Sequence, residues 1–305
     1  MKNHIVLLSL TLFNFLSCSS GQSKEQYTTA NNEDIIIENG NSLLWKVEGN
    51  DSKTSYMYGT MHIIDEEYYC FSDAMKKKIE SSEAILMEVG GIPNPLETLN
   101  LISLDSGDIR DQFTEEQMTL IVEFFDQELN TSPEKFYKQY GQMKPFFLLQ
   151  AITQNYFSDN TMSYDMEIMG IAAQNNIPLI GFETIQQQLG FFDIIPSEKM
   201  ALMVTESIKN FEKEKKETLK MMKIYSEQKV KKLIPMIQKQ SPEFMEFSDV
   251  FLYNRNKAWI PRIKEEIASK KCFIAVGAAH LFGNEGLISL LKKEGFKLTA
   301  ISTEN

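Results

Sequence analysis

Three short runs in this chain, AILMEV at 84–89, PLIGFE at 178–183 and CFIAV at 272–276, are apolar almost throughout instead of alternating apolar with polar. Strands read this way when both faces are buried, as in a parallel sheet covered by helices. Helical patterns separate them. SDAMKKKIESS, with Ser72 as its N-cap, precedes the first, and SYDMEIMGIAAQNN precedes the second. RNKAWIPRIKEEIAS, a helix interrupted or begun by Pro261, precedes the third. GLISLLKKEG, with Gly295 as its stop, then leads to a last strand. At the other end, SLLWKVEG and TSYMYGTMH flank the turn-like NDSK and read as a hairpin. The pattern predicts an α/β fold: a mostly parallel central sheet with flanking helices and a helical insertion.

That fold occupies residues 42–305, and its helical region spans about 110–250. TEEQMTLIVEFFDQEL opens on a capping box, SPEKFYKQY places Pro133 just inside a Ser cap, and PFFLLQAITQNYF is nearly all apolar. Residues 197–250 are rich in Lys and Glu, with Met200, Met203 and Met222 among the apolar positions of long, partly exposed helices. These methionines read as core filler.

The N-terminus holds one Lys, an apolar run from Ile5 to Leu16 and small residues around Cys18. The run is too short to span a bilayer and reads as a signal peptide over residues 1–17. Phe15-Leu16-Ser17-Cys18 resembles a lipobox, which implies lipidation of Cys18. Plain cleavage near Ser17, Ser19 or Ser20 is the alternative. A polar stretch over 18–41 then forms a tether, so the expected location is the bacterial cell envelope, lipid-anchored or periplasmic, with the N-terminal lipid as the only membrane contact. Of the other cysteines, Cys70 and Cys272 either bridge or remain two lone buried thiols. The formal net charge of −11, spread along the chain, repels phosphate backbones and anionic headgroups and argues against nucleic-acid binding.

The chain has three histidines, of which His4 falls in the signal. The other two share one setting, Gly59-Thr60-Met61-His62 and Gly277-Ala278-Ala279-His280, each directly after an apolar strand. Glycine lets the chain turn off the strand end, and the imidazole three residues later projects over the carboxyl edge of the sheet, where open α/β folds bind ligands. Parallel strands ending at Gly59, Glu88, Glu183 and Gly277 bring His62, Glu88, Glu183 and His280 to that edge. Two imidazoles with carboxylates suit a divalent ion (Mn, Co, Zn or Fe) with an open coordination position.

The paired Gly-x-x-His motifs resemble the TraB/GumN family, related to the Tiki metalloproteases and more distantly to the ChaN and erythromycin esterase group. They lie in a series of blocks from LLWKVEGNDSKTSYMYGTMH through EAILMEV, YDMEIMGIAAQNNIPLIGFETIQQQL and NRNKAWIPRIKE to VGAAHLFGNEGLISLLKKEGF. The resemblance implies His62 and His280 as metal histidines and Glu88 as the carboxylate of the first half. It places Asp165 and Glu183 in the same cleft, and makes Arg255 the arginine ahead of the second histidine. It implies a metal-dependent hydrolase, acting on a peptide or protein, in which Glu88 or Glu183 is ligand or general base. A non-catalytic peptide-binding protein with a metal site, or an esterase, reuses the same residues.

Overall fold

The computed structural model describes residues 40–91, 94–240 and 246–303. The signal, Cys18 and nearly all of the tether lie outside them. The strands are β1 Leu44–Glu48, β2 Ser55–Thr60, β3 Ile64–Asp65, β4 Ala84–Val89, β5 Thr161–Met162, β6 Leu179–Glu183, β7 Cys272–Gly277 and β8 Lys297–Ile301. The helices are α1 Asp73–Glu80, α2 Pro95–Ile102, α3 Glu115–Gln127, α4 Pro133–Tyr140, α5 Phe146–Gln154 and α6 Tyr164–Asn175. After them come α7 Ile185–Gly190, α8 Ser197–Lys209, α9 Phe211–Ser226, α10 Val230–Gln240, α11 Asn254–Ser269 and α12 Leu287–Lys293.

Six strands form one sheet in the order β6-β4-β7-β2-β1-β8. β6, β4, β7 and β2 are mutually parallel, while β1 returns antiparallel from β2 through the NDSK turn and pairs with β8. The α/β architecture anticipated from the apolar runs is therefore present. β3 and β5 form a separate two-stranded ribbon.

Alternate residues of each strand enter different cores, as the two-residue strand period requires. Tyr56, Tyr58, Ile85, Met87, Phe273 and Ala275 pack with residues of α1, α6, α9 and α10. Met57, Leu86, Ile274 and Val276 face the other way, onto Trp259, Ile263 and Ile267 of α11 and Leu287 and Leu291 of α12. Each of these large side chains contributes about 1.5–3 kcal/mol on burial, so the central strands are held from both sides. A third core, around Ile121, Phe125, Phe136, Leu148, Ile152 and Val204, belongs to the helical region.

Local signals act as the residue types require. Ser72 caps α1 by accepting from Met75 N, and Thr114 and Gln117 complete the capping box of α3. Pro261 neither begins nor interrupts a helix. It lies inside α11, where the carbonyl it leaves unpaired belongs to exposed Lys257 and is available to water. Cys70 and Cys272 are both free, and Cys70 is exposed, so neither the bridge nor a pair of buried thiols is formed.

Candidate metal and catalytic site

The parallel strands end at one edge, and the two histidine motifs interlock there. β2 and β7 are neighbours in register, with Gly59 opposite Val276 and Thr60 opposite Gly277. The expected reason for the glycines, a sharp turn, is corrected by the backbone. Neither Gly59 nor Gly277 has a positive φ; Gly277 sits at φ −51° and Gly59 within β2. What both positions need is the missing side chain. A β-carbon on Gly59 would come within 2.8 Å of Leu281 Cδ1 and 3.0 Å of Ala278 Cα, both from the second motif. A β-carbon on Gly277 would lie 3.3 Å from Glu88 Oε1, 3.6 Å from His62 Nε2 and 3.7 Å from His280 Cδ2. Gly277 thus marks the point on which both histidines and Glu88 converge.

Each histidine is oriented through Nδ1. Asp165, two residues into α6, places Oδ2 2.9 Å from His62 Nδ1, and Thr60 donates to its other oxygen at 3.2 Å. His280 Nδ1 lies 2.7 Å from Asn256 Oδ1. The Asn256 amide nitrogen donates to the carbonyls of His280 and Glu285, which fixes the orientation of that amide and makes His280 Nδ1 the donor. Nε2 of His280 is therefore left with the lone pair, and Nε2 of His62 gains one when that ring gives up its second proton, the arrangement expected when carboxylates or amides hold metal-binding imidazoles.

The two rings differ electrically. The side chain of His62 is 60% exposed, and the Asp165 carboxylate raises its pKa to about 9 against the cost of desolvation. His280 is buried against the Trp259 ring, 4.6 Å between centroids, and burial lowers its pKa to about 4, outweighing the pull of Glu88. His280 is thus neutral at pH 7.

Arg255 ties the carboxylates together. Its guanidinium donates to both oxygens of Glu183 at 2.8–3.1 Å and to Glu88 Oε2 at 2.7 Å, and reaches Phe251 O at 2.8 Å. It lies over the rings of Phe191 and Trp259. Glu183 also accepts from Trp259 Nε1 at 3.0 Å, and Glu88 from Gln188 Nε2 at 3.0 Å and Gly277 N at 2.9 Å. Burial alone disfavours a charged Glu88. His280, Arg255, His62 and the Gly277 N–H overcome that and hold its pKa well below the usual carboxylate range.

The structure therefore places Glu88, Glu183, Arg255 and His280 in one polar network, with the His62–Asp165 pair facing it at Gly277. It adds Gln188, Asn256 and Trp259, which the sequence reading passed over. Asn256 and Trp259 follow Arg255 at one and four residues, so Arg255 and Trp259 share a helix face, a spacing visible in RNKAW. The turn that delivers Arg255, Asp249–Tyr253, is π-helical, and no sequence signal marked it.

The candidate donors for a divalent ion are His62 Nε2, His280 Nε2 and Glu88 Oε1. The last two are 3.7 Å apart, a separation two ligands of one ion can adopt. Among the described residues no group of three His, Cys, Asp or Glu is set as a formed metal cluster. Arg255 Nη1 stands 3.3 Å from His280 Nε2, and its guanidinium is the positive charge beside Glu88.

A profile of the TraB/PrgY/gumN family matches residues 43–300. The chain is 22% identical over 261 residues to Uncharacterized protein YbaP of Shigella flexneri, covering 83% of this chain and 94% of that one. It is 21% identical over 240 residues to Uncharacterized protein YbaP of Escherichia coli strain K12, covering 78% and 87% respectively. No solved structure matches. With the family profile spanning the sheet and both histidine motifs, the chain belongs to the TraB/PrgY/gumN family.

Proposed function

We propose that this protein is a metal-dependent hydrolase of the bacterial cell envelope acting on peptides or proteins, with His62, His280 and Glu88 holding a divalent ion of the Mn, Co, Zn or Fe group. The observation that carries the reading is the convergence of Glu88 Oε1, His62 Nε2 and the His280 ring on Gly277. Such an ion, when bound, polarises a carbonyl and lowers the pKa of water.

The roles of the two carboxylates separate on contacts. Glu88 lies against both histidines and is the ligand. Glu183 spends its oxygens on Arg255 and Trp259 and holds the guanidinium in place. Arg255, whose N–H donors are taken by Glu183, Glu88, Phe251 O and His280, receives a substrate carboxylate or a developing oxyanion by exchanging one of these partners. Asp165 and Asn256 hold each ring through Nδ1 and turn Nε2 toward the shared point.

A second reading, peptide binding without cleavage, draws on one feature: Arg255 clamps both Glu88 and Glu183, so neither carboxylate is unencumbered as a general base. The deciding experiment loads the full chain with each metal in turn, measures bound ion, and assays a peptide and ester library beside His62→Ala and His280→Ala. Hydrolysis lost together with metal in both variants supports the enzyme. Tight metal binding with no turnover of any substrate supports the binder, and full metal content and activity in both variants defeats the site. Envelope location rests on the N-terminal signal, and no described helix is long and apolar enough to cross a membrane.

A further inference from the structure

Charge is not spread evenly in this molecule, although the chain as a whole carries −11. Residues 209–232, covering α9 and the start of α10, hold nine lysines against four glutamates and no aspartate. On α9 the buried residues are Thr218, Met222 and Tyr225. The opposite face, stepping by three or four residues, carries Lys213, Lys216, Lys220 and Lys223, all exposed. Of these, only Lys220 has an ion pair among the described residues, to Glu217 at 3.8 Å. Lys231 and Lys232 on α10 are exposed and have none. Glu212 and Glu217 lie three or four residues from members of the row and offset part of the repulsion among the lysines, and an anionic surface against the row would offset the rest.

A second feature says which surface. The described chain begins at Gly40 beside this hairpin: Asn41 Oδ1 accepts from Lys231 N at 3.4 Å, and Gly40 and Lys231 line one cavity of about 430 Å³ with Trp45, Ile234 and Phe282. Gly40 and Asn41 thus sit next to α10, which packs on α9. From Lys213 to Lys223 the row covers eleven residues, about 15 Å of helix, enough to meet several headgroups at once.

We infer that the Lys213, Lys216, Lys220 and Lys223 face of α9 is a docking surface for an anionic phospholipid bilayer. It holds the body against the membrane on the side of Gly40 and Asn41, with the more acidic remainder turned away. The proposal is independent of hydrolysis and of the metal site. It departs from the expectation that the protein meets the membrane through its N-terminus alone.

The test is co-sedimentation of the full chain with vesicles of phosphatidylcholine alone or mixed with phosphatidylglycerol, so that N-terminal insertion is common to both. The wild type is expected to bind the anionic vesicles more tightly. The excess should vanish near 1 M salt, where the Debye length is about 3 Å. In K213Q/K216Q/K220Q/K223Q the excess should fall at least about tenfold, from the sum of the lysine terms, while binding to neutral vesicles stays unchanged. K76Q/K77Q/K135Q/K138Q, an equal charge change on α1 and α4, should keep it. Equal binding of the wild type to both vesicles, or an excess lost equally in both variants, overturns the proposal. An excess that survives K213Q/K216Q/K220Q/K223Q does so too.

Discussion

Gly59 and Leu281 meet where the two histidine motifs interlock: a β-carbon on Gly59 would stand 2.8 Å from Leu281 Cδ1. Leu281 follows His280 directly, so the glycine of the first motif sets the position of the histidine of the second. Gly59→Ala is expected to destabilise the fold by about 1–3 kcal/mol through overpacking and to weaken metal binding without touching a ligand. Adding Leu281→Ala should relieve part of the clash, so urea melts of the double variant should show less destabilisation than the sum of the singles. A strictly additive cycle would argue against the interlock.

Asn256→Leu keeps the branched shape and removes the acceptor for His280 Nδ1 together with the donors to the His280 and Glu285 carbonyls. A buried donor left unpaired costs about 1–3 kcal/mol, and loss of such a partner typically weakens a metal site about 10–100-fold. Isothermal titration with Zn and Mn measures the second effect and thermal melts of metal-free protein the first.

Glu183→Gln removes the charge that holds Arg255 while leaving a group of the same shape. Breaking a buried pair typically costs about 3–5 kcal/mol, here reduced because Glu88 still pairs with the guanidinium. Denaturant melts should show that loss with metal stoichiometry unchanged. Loss of stoichiometric metal would instead make Glu183 a ligand.

The pH dependence of stability in chelator-treated protein should peak near pH 6.5. His280, lowered to about 4, binds its proton more readily unfolded, so its contribution is complete above about 6.5 and lost as pH falls toward 4. His62, raised to about 9, contributes fully below the ordinary histidine value and loses this as pH rises through 9. Because His62 is largely exposed, solvent screening makes the alkaline limb the shallower. His62→Gln should remove that limb and leave the acid one in thermal melts across pH 4–10.

Cys272 is fully buried and its thiol is pushed up to about 12 by burial, whereas Cys70 is exposed. Alkylation of the native protein at pH 8 followed by peptide mass mapping should label Cys70 and spare Cys272. Labelling both at equal rates would mean that β7 opens readily.

Much of this was legible in the linear chain. The apolar runs at 84–89 and 272–276 are inner strands buried on both faces, as read, whereas 178–183 became the half-buried edge strand β6, which an apolar run alone does not distinguish from an inner one. Their shared direction then put His62, Glu88, Glu183 and His280 at one edge. Twofold occurrence of Gly-x-x-His named the motif, because it joins residue type to strand end within a few positions. Other features depended on contacts far apart in sequence. Asp165 meets His62 across 103 residues, Arg255 meets Glu88 across 167, and Gln188 meets Glu88 across 100. No local pattern encodes such pairs. The glycines make the same division plain: their place in the motif is written in the sequence, but their purpose was not. Only the packing of β2 against the loop after β7 shows that a side chain on Gly59 would collide with the second motif and one on Gly277 would crowd Glu88.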